Sequence, residues 1–338
     1  MVEIVDLTDN PLSLKNGSYS GMAGLKDGIL INGECWLVKY PKNISNLGGT
    51  GGASYSTAPL SEYIGSHVFQ LLGYAAHETV LGERRNKLVV ACKDFAVDGK
   101  MLLEIRTLKN HANEQMAEMF DKDFENTGSQ HHVDLETLLL HLRHNPILSV
   151  IGGIEQRFWE QAIVDVLINN NDRNNGNWGV LRNFGDPNCS DALAPVFDNG
   201  GSFQTKSSES KIERQLANKE LLVRSAVGIQ TTYSKEEHVY SARKFLDLLE
   251  TEQGLRKALL RVVPIIEERL PDIFAFIDSI PEEHTLRNGE TVIVCSSARK
   301  SLYKAHLEIR LAELLKPACE RAWDIDVAPT MLDALGLL

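Results

Sequence analysis

The feature that most restricts the fold is a polar stretch wedged between a helix and two short strands. From 154 to 168, Ile154, Phe158, Ala162 and Val166 recur at the spacing of one helix face. That pattern runs into Asn169-Asn170-Asn171-Asp172-Arg173-Asn174-Asn175-Gly176-Asn177. Asn and Asp side chains compete for their own backbone, and glycine is entropically costly in a helix, so the helix must stop here. Two apolar runs follow, 178–181 and 193–197, each reading as a strand. The second ends in Asp198-Asn199-Gly200-Gly201.

Upstream, 29–40 reads as a hairpin. Asn32-Gly33 tolerates the positive φ that both positions of a type I′ turn need. On its second strand Cys35, Leu37 and Lys39 share one face. A lysine on that face must snorkel to the edge or meet a negative partner. Residues 59–72 read as a helix, with Pro59 suited to its first turn, a stripe of Leu60, Ile64, Val68 and Leu71, and Gly73 to stop it. Glu62 falls in its first or second turn. Two strands follow, 78–81 and 87–92, around a polar turn at 84–86. Residues 110–132 read as a polar connecting region with partial helix, and 135–142 as a helix. From 210 to 335 the chain reads as mainly helical, with one short strand at 291–295.

Phosphoryl transfer from a nucleotide needs a cradle for the phosphates, cations to offset their charge, and a base to orient the attacking hydroxyl. Asp172 and Asn177 stand at the D-x4-N spacing of kinase catalytic loops. Asn and Asp oxygens suit magnesium, and a carboxylate clear of the metal can take the hydroxyl proton. Asp198-Asn-Gly fits the position of a metal-binding Asp-x-Gly. Each piece alone reads equally well as a turn or a solvated residue. Their order, which is hairpin with lysine, helix with glutamate, two strands, helix, loop, strand and Asp-x-Gly, is the order of a kinase core.

Other chemistries fit poorly. An EF-hand beginning at Asp172 would put Asn177 where glycine belongs and Asn183 where glutamate belongs. There is no G-x4-G-K-[ST] phosphate loop. His131, His132, His141 and His144 lack an HExxH pattern and read as a solvated face. A net charge of -11 argues against direct nucleic-acid binding and, mildly, against an anionic membrane. The five cysteines are scattered with no CxxC, so a zinc site or disulfide scaffold is not expected and a reducing cytoplasm is. No apolar run is long enough to span a membrane, and Glu3, Asp6 and Asp9 are wrong for a secretory leader.

With these residues in place, the chain resembles the HipA-like kinases, a bacterial serine/threonine kinase family, and most of all their short, CtkA-type members without the extra N-terminal subdomain. The resemblance covers roughly residues 15–320. The family's phosphate loop has the form S-x-x-G-x-x-x-K. Ser18-Tyr19-Ser20-Gly21 matches its start, and the lysine falls one residue late, at Lys26. Trp36-Leu37-Val38-Lys39-Tyr40-Pro41 matches the family's strand W-[IL]-[VI]-K-[FY]-P.

The resemblance implies an α+β, bilobal protein-kinase-like fold. Residues 1–95 would form a small, mainly antiparallel N-lobe, 96–338 a larger helical C-lobe, and ATP would lie between them. It implies ATP and Mg2+ as cofactors. Ser20, Gly21, Met22, Ala23 and Gly24 would cradle phosphate, with Lys39 as the phosphate lysine and Glu62 as its partner. Cys92, Lys93, Asp94 and Phe95 would form the adenine hinge. Asp172 would be the base, and Asn177 and Asp198 the metal ligands. The loop serine, Ser18, with Tyr19 and Ser20 beside it, would be the site of autophosphorylation.

The expected activity is that of an autophosphorylating protein serine/threonine kinase, a toxin or effector acting on a protein substrate. It would have an antitoxin-type partner, work in a bacterial cytoplasm or be exported without a signal peptide, and bind neither nucleic acid nor membrane directly. Two departures leave other acceptors open. Asn170-Asn171-Asp172 replaces the usual HRD, and there is no A-P-E. Asp172-Arg173-Asn174-Asn175-Gly176-Asn177 also resembles the D-R-x-x-x-N loop of phosphoinositide kinases. A lipid or small-molecule kinase and a nucleotide-binding pseudokinase are the alternatives.

Overall fold

The computed structural model describes residues 1–17, 25–45, 55–128, 132–184 and 191–327. In chain order the elements are β1 (Val5–Asp6), β2 (Lys26–Ile31), β3 (Glu34–Lys39), α1 (Ala58–Leu71), β4 (Thr79–Arg84), β5 (Lys87–Lys93), β6 (Lys100–Glu104), α2 (Ile105–Phe120), β7 (Val133–Asp134), α3 (Leu135–His144), α4 (Ile154–Ile168), β8 (Gly179–Asn183) and β9 (Ala192–Leu193). Then come α5 (Glu209–Leu216), α6 (Lys219–Val227), β10 (Gln230–Lys235), β11 (His238–Ser241), α7 (Ala242–Leu246), α8 (Gln253–Ser279), β12 (Glu283–Thr285), β13 (Thr291–Ile293), α9 (Ser297–Arg310) and α10 (Lys316–Asp326). These residues fall into two compact units. One takes Met1–Phe95, Pro195–Ser225 and Arg269–His306. The other takes Ala96–Ala194, Ala226–Glu268 and Leu307–Leu338.

The first unit is built on a five-stranded sheet of order β1-β4-β5-β3-β2, antiparallel except for the β1–β4 pair. Its two hairpins turn on residues that accept positive φ. Asn32 (φ 51) and Gly33 (φ 83) join β2 to β3, and Arg85 (φ 52) and Asn86 (φ 53) join β4 to β5. Strand alternation sends Trp36 and Val38 into a core with Leu7, Ile29, Tyr40, Val89 and Ala91. Cys35, Leu37 and Lys39 take the opposite face. Helix α1 carries Pro59 in its first turn. It ends in a Schellman motif, where Gly73 N–H donates to the Gln70 carbonyl and Tyr74 N–H to that of Phe69, both at 2.9 Å. The sequence shows one apolar stripe on α1, but Ser61, Glu62, Gly65 and Ser66 are buried as well.

The second unit holds two small sheets, β6-β8-β9 and β11-β10-β7, among helices. Helix α4 spans the expected residues. Within 110–132 the expected partial helix is the second half of a longer one. Helix α2 begins at Ile105 and runs to Phe120, with Ile105, Leu108, Ala112 and Met116 buried at three- and four-residue spacing. The first half of that stripe precedes the polar composition that suggests a linker. Nor is 193–197 a continuous strand. Ladder pairing stops at Leu193, and Val196 makes an isolated bridge to Ala76. The C-terminal part also contains a hairpin that its composition hides. β10 and β11 pair antiparallel, and β10 buries Thr231, Thr232 and Ser234 beside Tyr233. His141 is fully buried and meets Phe124 edge-on at 5.2 Å, so the expected solvated histidine face does not hold there. Among the described residues, no helix is long and apolar enough to cross a membrane.

Candidate active site

Lys39 meets its negative partners twice over. From the last position of β3 its Nζ donates to Glu62 Oε2 at 2.7 Å and to Asp198 Oδ1 at 2.8 Å. Burial works against the ammonium, but the Asp198 and Glu62 carboxylates outweigh it and hold the Lys39 pKa well above that of an ordinary lysine. Burial likewise opposes the Glu62 carboxylate, and Lys39 and His77 together hold its pKa below the usual carboxylate range. Glu62 is therefore ionised, so the ring nitrogen facing it must carry the proton. His77 Nε2 donates to Glu62 Oε1 at 3.0 Å, and the Asn199 backbone N–H donates to the same oxygen at 2.8 Å. The side chain of Asp198 is 42% exposed against 1% for Glu62, so one carboxylate faces outward and the other is internal. Asp198 itself sits at φ 59, a left-handed conformation uncommon for a residue with a side chain.

In the second unit, α4 hands over to the Asx-rich loop at Asn169, whose φ of 55 ends the helix. Asn170 N–H donates to the Asp165 carbonyl at 2.8 Å. The loop then folds on itself. Asp172 N–H donates to Asn170 Oδ1, Asn174 Nδ2 donates to Asp172 Oδ1 at 3.1 Å, and Asn177 Nδ2 donates to the Asp172 carbonyl. Arg173 is turned inward. Its guanidinium grips Asp165 on α4 through Nε at 2.9 Å and Nη2 at 3.1 Å, and Nη1 donates to the Asn177 carbonyl at 3.0 Å. Asn177 is thus held at both ends, its side chain by the Asp172 carbonyl and its own carbonyl by the buried Arg173.

Donor chemistry can be tested against the implied metal. Magnesium takes hard oxygen ligands. Asp198 offers a partly exposed carboxylate. The Nδ2 end of Asn177 is committed to Asp172, which leaves Oδ1 as its ligating end. Both residues fit. Among the described residues, Glu62, His77 and Cys92 also bring metal-ligating atoms within 4.8 Å of one another. There, burial pushes the Cys92 thiol far above its ordinary range, so Cys92 packs as a neutral side chain.

No protein-family model matches the chain. It is similar to the serine/threonine-protein kinase CtkA of Helicobacter pylori (strain J99), with 29% identity over 278 residues, 82% of this chain and 79% of that protein. Among solved structures it is similar to the crystal structure of a Helicobacter pylori proinflammatory kinase CtkA. The TM-score is 0.78 at 26% identity, over 96% of this chain and 100% of that one. The chain is a serine/threonine kinase, similar over most of its length to CtkA. HipA of Shewanella oneidensis MR-1, solved with HipB and its operator DNA, shares the fold. That TM-score is 0.51 at 12% identity, over 94% of this chain and 68% of that one.

Other candidate residues of the kinase fall as follows. Ser18, Tyr19, Ser20, Gly21, Met22, Ala23 and Gly24 lie outside the described residues. In the hinge segment, Lys93 N–H donates to the Glu78 carbonyl and Asp94 N–H to that of Cys35, both at 2.9 Å. Those two amide protons are therefore spent within the first unit. Phe95 stacks at a tilt on Phe197, centroids 5.6 Å apart. Sequence reasoning missed His77, Ser66, Asn199, Asp165 and the inward role of Arg173. Asn199 and Arg173 stand inside motifs already singled out, but no local pattern marks His77 or Ser66.

Proposed function

We propose that the kinase transfers the γ-phosphoryl group of ATP, with Mg2+, to serine or threonine hydroxyls of a protein acceptor and of itself. The observation that carries this reading is the Lys39 ammonium held between the Glu62 and Asp198 carboxylates. A cation held partly out of water by one internal carboxylate is preorganised to stabilise charge on phosphate oxygens. Asp198 and Asn177 would hold the metal, which when bound offsets charge on the phosphate oxygens. Asp172 would accept the proton of the acceptor hydroxyl as its oxygen bonds the γ-phosphorus. The bond from γ-phosphorus to the β–γ bridging oxygen breaks, and ADP leaves with that electron pair.

The regulatory half of the reading is autophosphorylation at Ser18, Tyr19 or Ser20. It would place a dianion in the segment that the family resemblance assigns to ATP phosphates. The CtkA crystal structure is that of a proinflammatory kinase. By that similarity the chain would act as an effector aimed at host proteins. HipA was solved with HipB. An antitoxin-type protein partner is the corresponding proposal here, with any operator DNA contact made through that partner.

The test is incubation of the full chain with γ-labelled ATP and Mg2+, followed by mass spectrometry of the chain and of an added protein acceptor. Label on serine or threonine, lost when EDTA is added, is the expected result. Lys39→Met is expected to lower the transfer rate by about a hundredfold, the scale of losing one charge-stabilising donor. Label found only on lipid or small-molecule acceptors, or Mg2+-independent transfer, would overturn the proposal.

A further inference from the structure

We infer that Gly65, Ser66, His77 and Asn199 form a positioning lock that fastens α1 to the Asp198-Asn199-Gly200 segment, and so sets the Lys39–Glu62–Asp198 arrangement. The inference rests on the proposed roles of Lys39 and Asp198 in handling phosphate and metal.

Two glycines allow the contact. A Cβ on Gly65, in the middle of α1, would lie 2.6 Å from Asn199 Cβ and 3.6 Å from the Asn199 carbonyl oxygen. A Cβ on Gly200 would lie 3.3 Å from Glu62 Oε2 and 3.5 Å from the Ala58 carbonyl oxygen. Glycine inside a helix is unfavourable compared with alanine, and here close approach of another backbone gives the reason for it.

Hydrogen bonds then fix the register of the contact. Asn199 Nδ2 donates to Ser66 Oγ at 3.0 Å, and His77 Nε2 lies 2.9 Å from the same oxygen. The Asn199 backbone N–H and His77 Nε2 both reach Glu62 Oε1. Ser66 and Asn199 are 0% exposed, Glu62 1% and His77 5%. A buried polar network holds one arrangement only while every member is satisfied. Its geometric consequence is specific. Glu62 uses Oε2 for Lys39 and Oε1 for the amide next to Asp198, so one carboxylate fixes the position of both partners of the Lys39–Asp198 contact. The left-handed Asp198 backbone is retained between these contacts, as a strained residue is when its surroundings over-determine it.

None of the four lock residues touches a reacting atom. They act through Glu62 and Asp198. A packing role alone would move the thermal unfolding midpoint and nothing else at temperatures well below it. A positioning role also moves the Mg2+ requirement. We therefore expect Ser66→Ala and Gly65→Ala, assayed where both are fully folded, to raise the half-saturating Mg2+ concentration by about tenfold and to lower kcat by a similar factor. His77→Gln, which keeps an N–H donor towards Glu62, should recover most of the loss seen in His77→Leu.

Ser66→Ala removes one oxygen and adds no bulk, so it decides the matter if Gly65→Ala does not fold. Folded Ser66→Ala with wild-type kcat and Mg2+ requirement would overturn the lock. Asp198→Asn runs alongside as a control on the underlying reading. Wild-type transfer by Asp198→Asn would show that the reading of Asp198 had failed. Loss in Asp198→Asn with no change in Ser66→Ala would show that only the lock had.

Discussion

Asp172→Asn is expected to keep nucleotide binding and to lose phosphoryl transfer by about 10²–10⁴-fold, the range for removing a positioned general base. The substitution is close to isosteric. An amide oxygen at this position still accepts from Asn174 Nδ2, which donates to Asp172 Oδ1 at 3.1 Å, and the backbone contacts of Asp172 with Asn170 and Asn177 do not involve its side chain. The loop therefore keeps its shape, and an amide cannot take the acceptor's proton. Single-turnover transfer from labelled ATP gives the rate, and a separate ATP titration gives the affinity. Transfer within about tenfold of wild type would remove Asp172 from the role of base. Unchanged affinity with the predicted loss would separate it from Lys39, where we expect binding and rate to fall together.

The parts that sequence reasoning reached are those whose cause is local. Asn32-Gly33 announces its turn because two adjacent residues must take positive φ, and they do. Lys39 announces itself as an anomaly, a cation on a strand face shared with Cys35 and Leu37, and the anomaly is resolved by two carboxylates from positions 62 and 198. Asp172 and Asn177 are legible because one loop carries both. What stayed hidden depends on contacts between distant positions. Ser66 reads as the polar side of an amphipathic helix, because nothing near it in sequence says that a second segment will cover that side. His77 and Asn199 are 122 positions apart and share Ser66 Oγ. β10 was missed for a related reason. Thr231, Thr232 and Ser234 look solvated and are buried, since neighbouring elements cover both faces of a strand with little apolar content. Composition hides the start and extent of α2, read only as partial helix within 110–132, because its polar residues mask a stripe of four apolar side chains.

Arg173→Leu is expected to destabilise the protein by about 3–5 kcal/mol, the scale of stranding one partner of a buried ion pair. The Arg173 side chain is 1% exposed and that of Asp165 is 5% exposed. Burial raises the Asp165 pKa, and the arginine offsets that only in part, so the carboxyl is already above its ordinary value with its partner present. Without the guanidinium it rises further. An acid whose folded pKa exceeds its unfolded value loses stability as pH rises, because the unfolded chain releases the proton first. The defect in Arg173→Leu should therefore be small near pH 4, about where an unfolded aspartate ionises. It should grow with pH by up to about 1.4 kcal/mol per unit until the folded carboxyl ionises too. Urea unfolding of both proteins across pH 4 to 8 measures this directly, and a pH-independent difference would show that the pair is not the cause. Replacing both partners by apolar residues, Asp165→Leu with Arg173→Met, removes the stranded charge and should recover most of the stability. It should not recover transfer. Arg173 Nη1 also holds the Asn177 carbonyl at 3.0 Å, and no apolar side chain can replace that bond. A double variant that is stable and nearly inactive would assign the pair to fixing the catalytic loop. Recovered activity would assign it to packing.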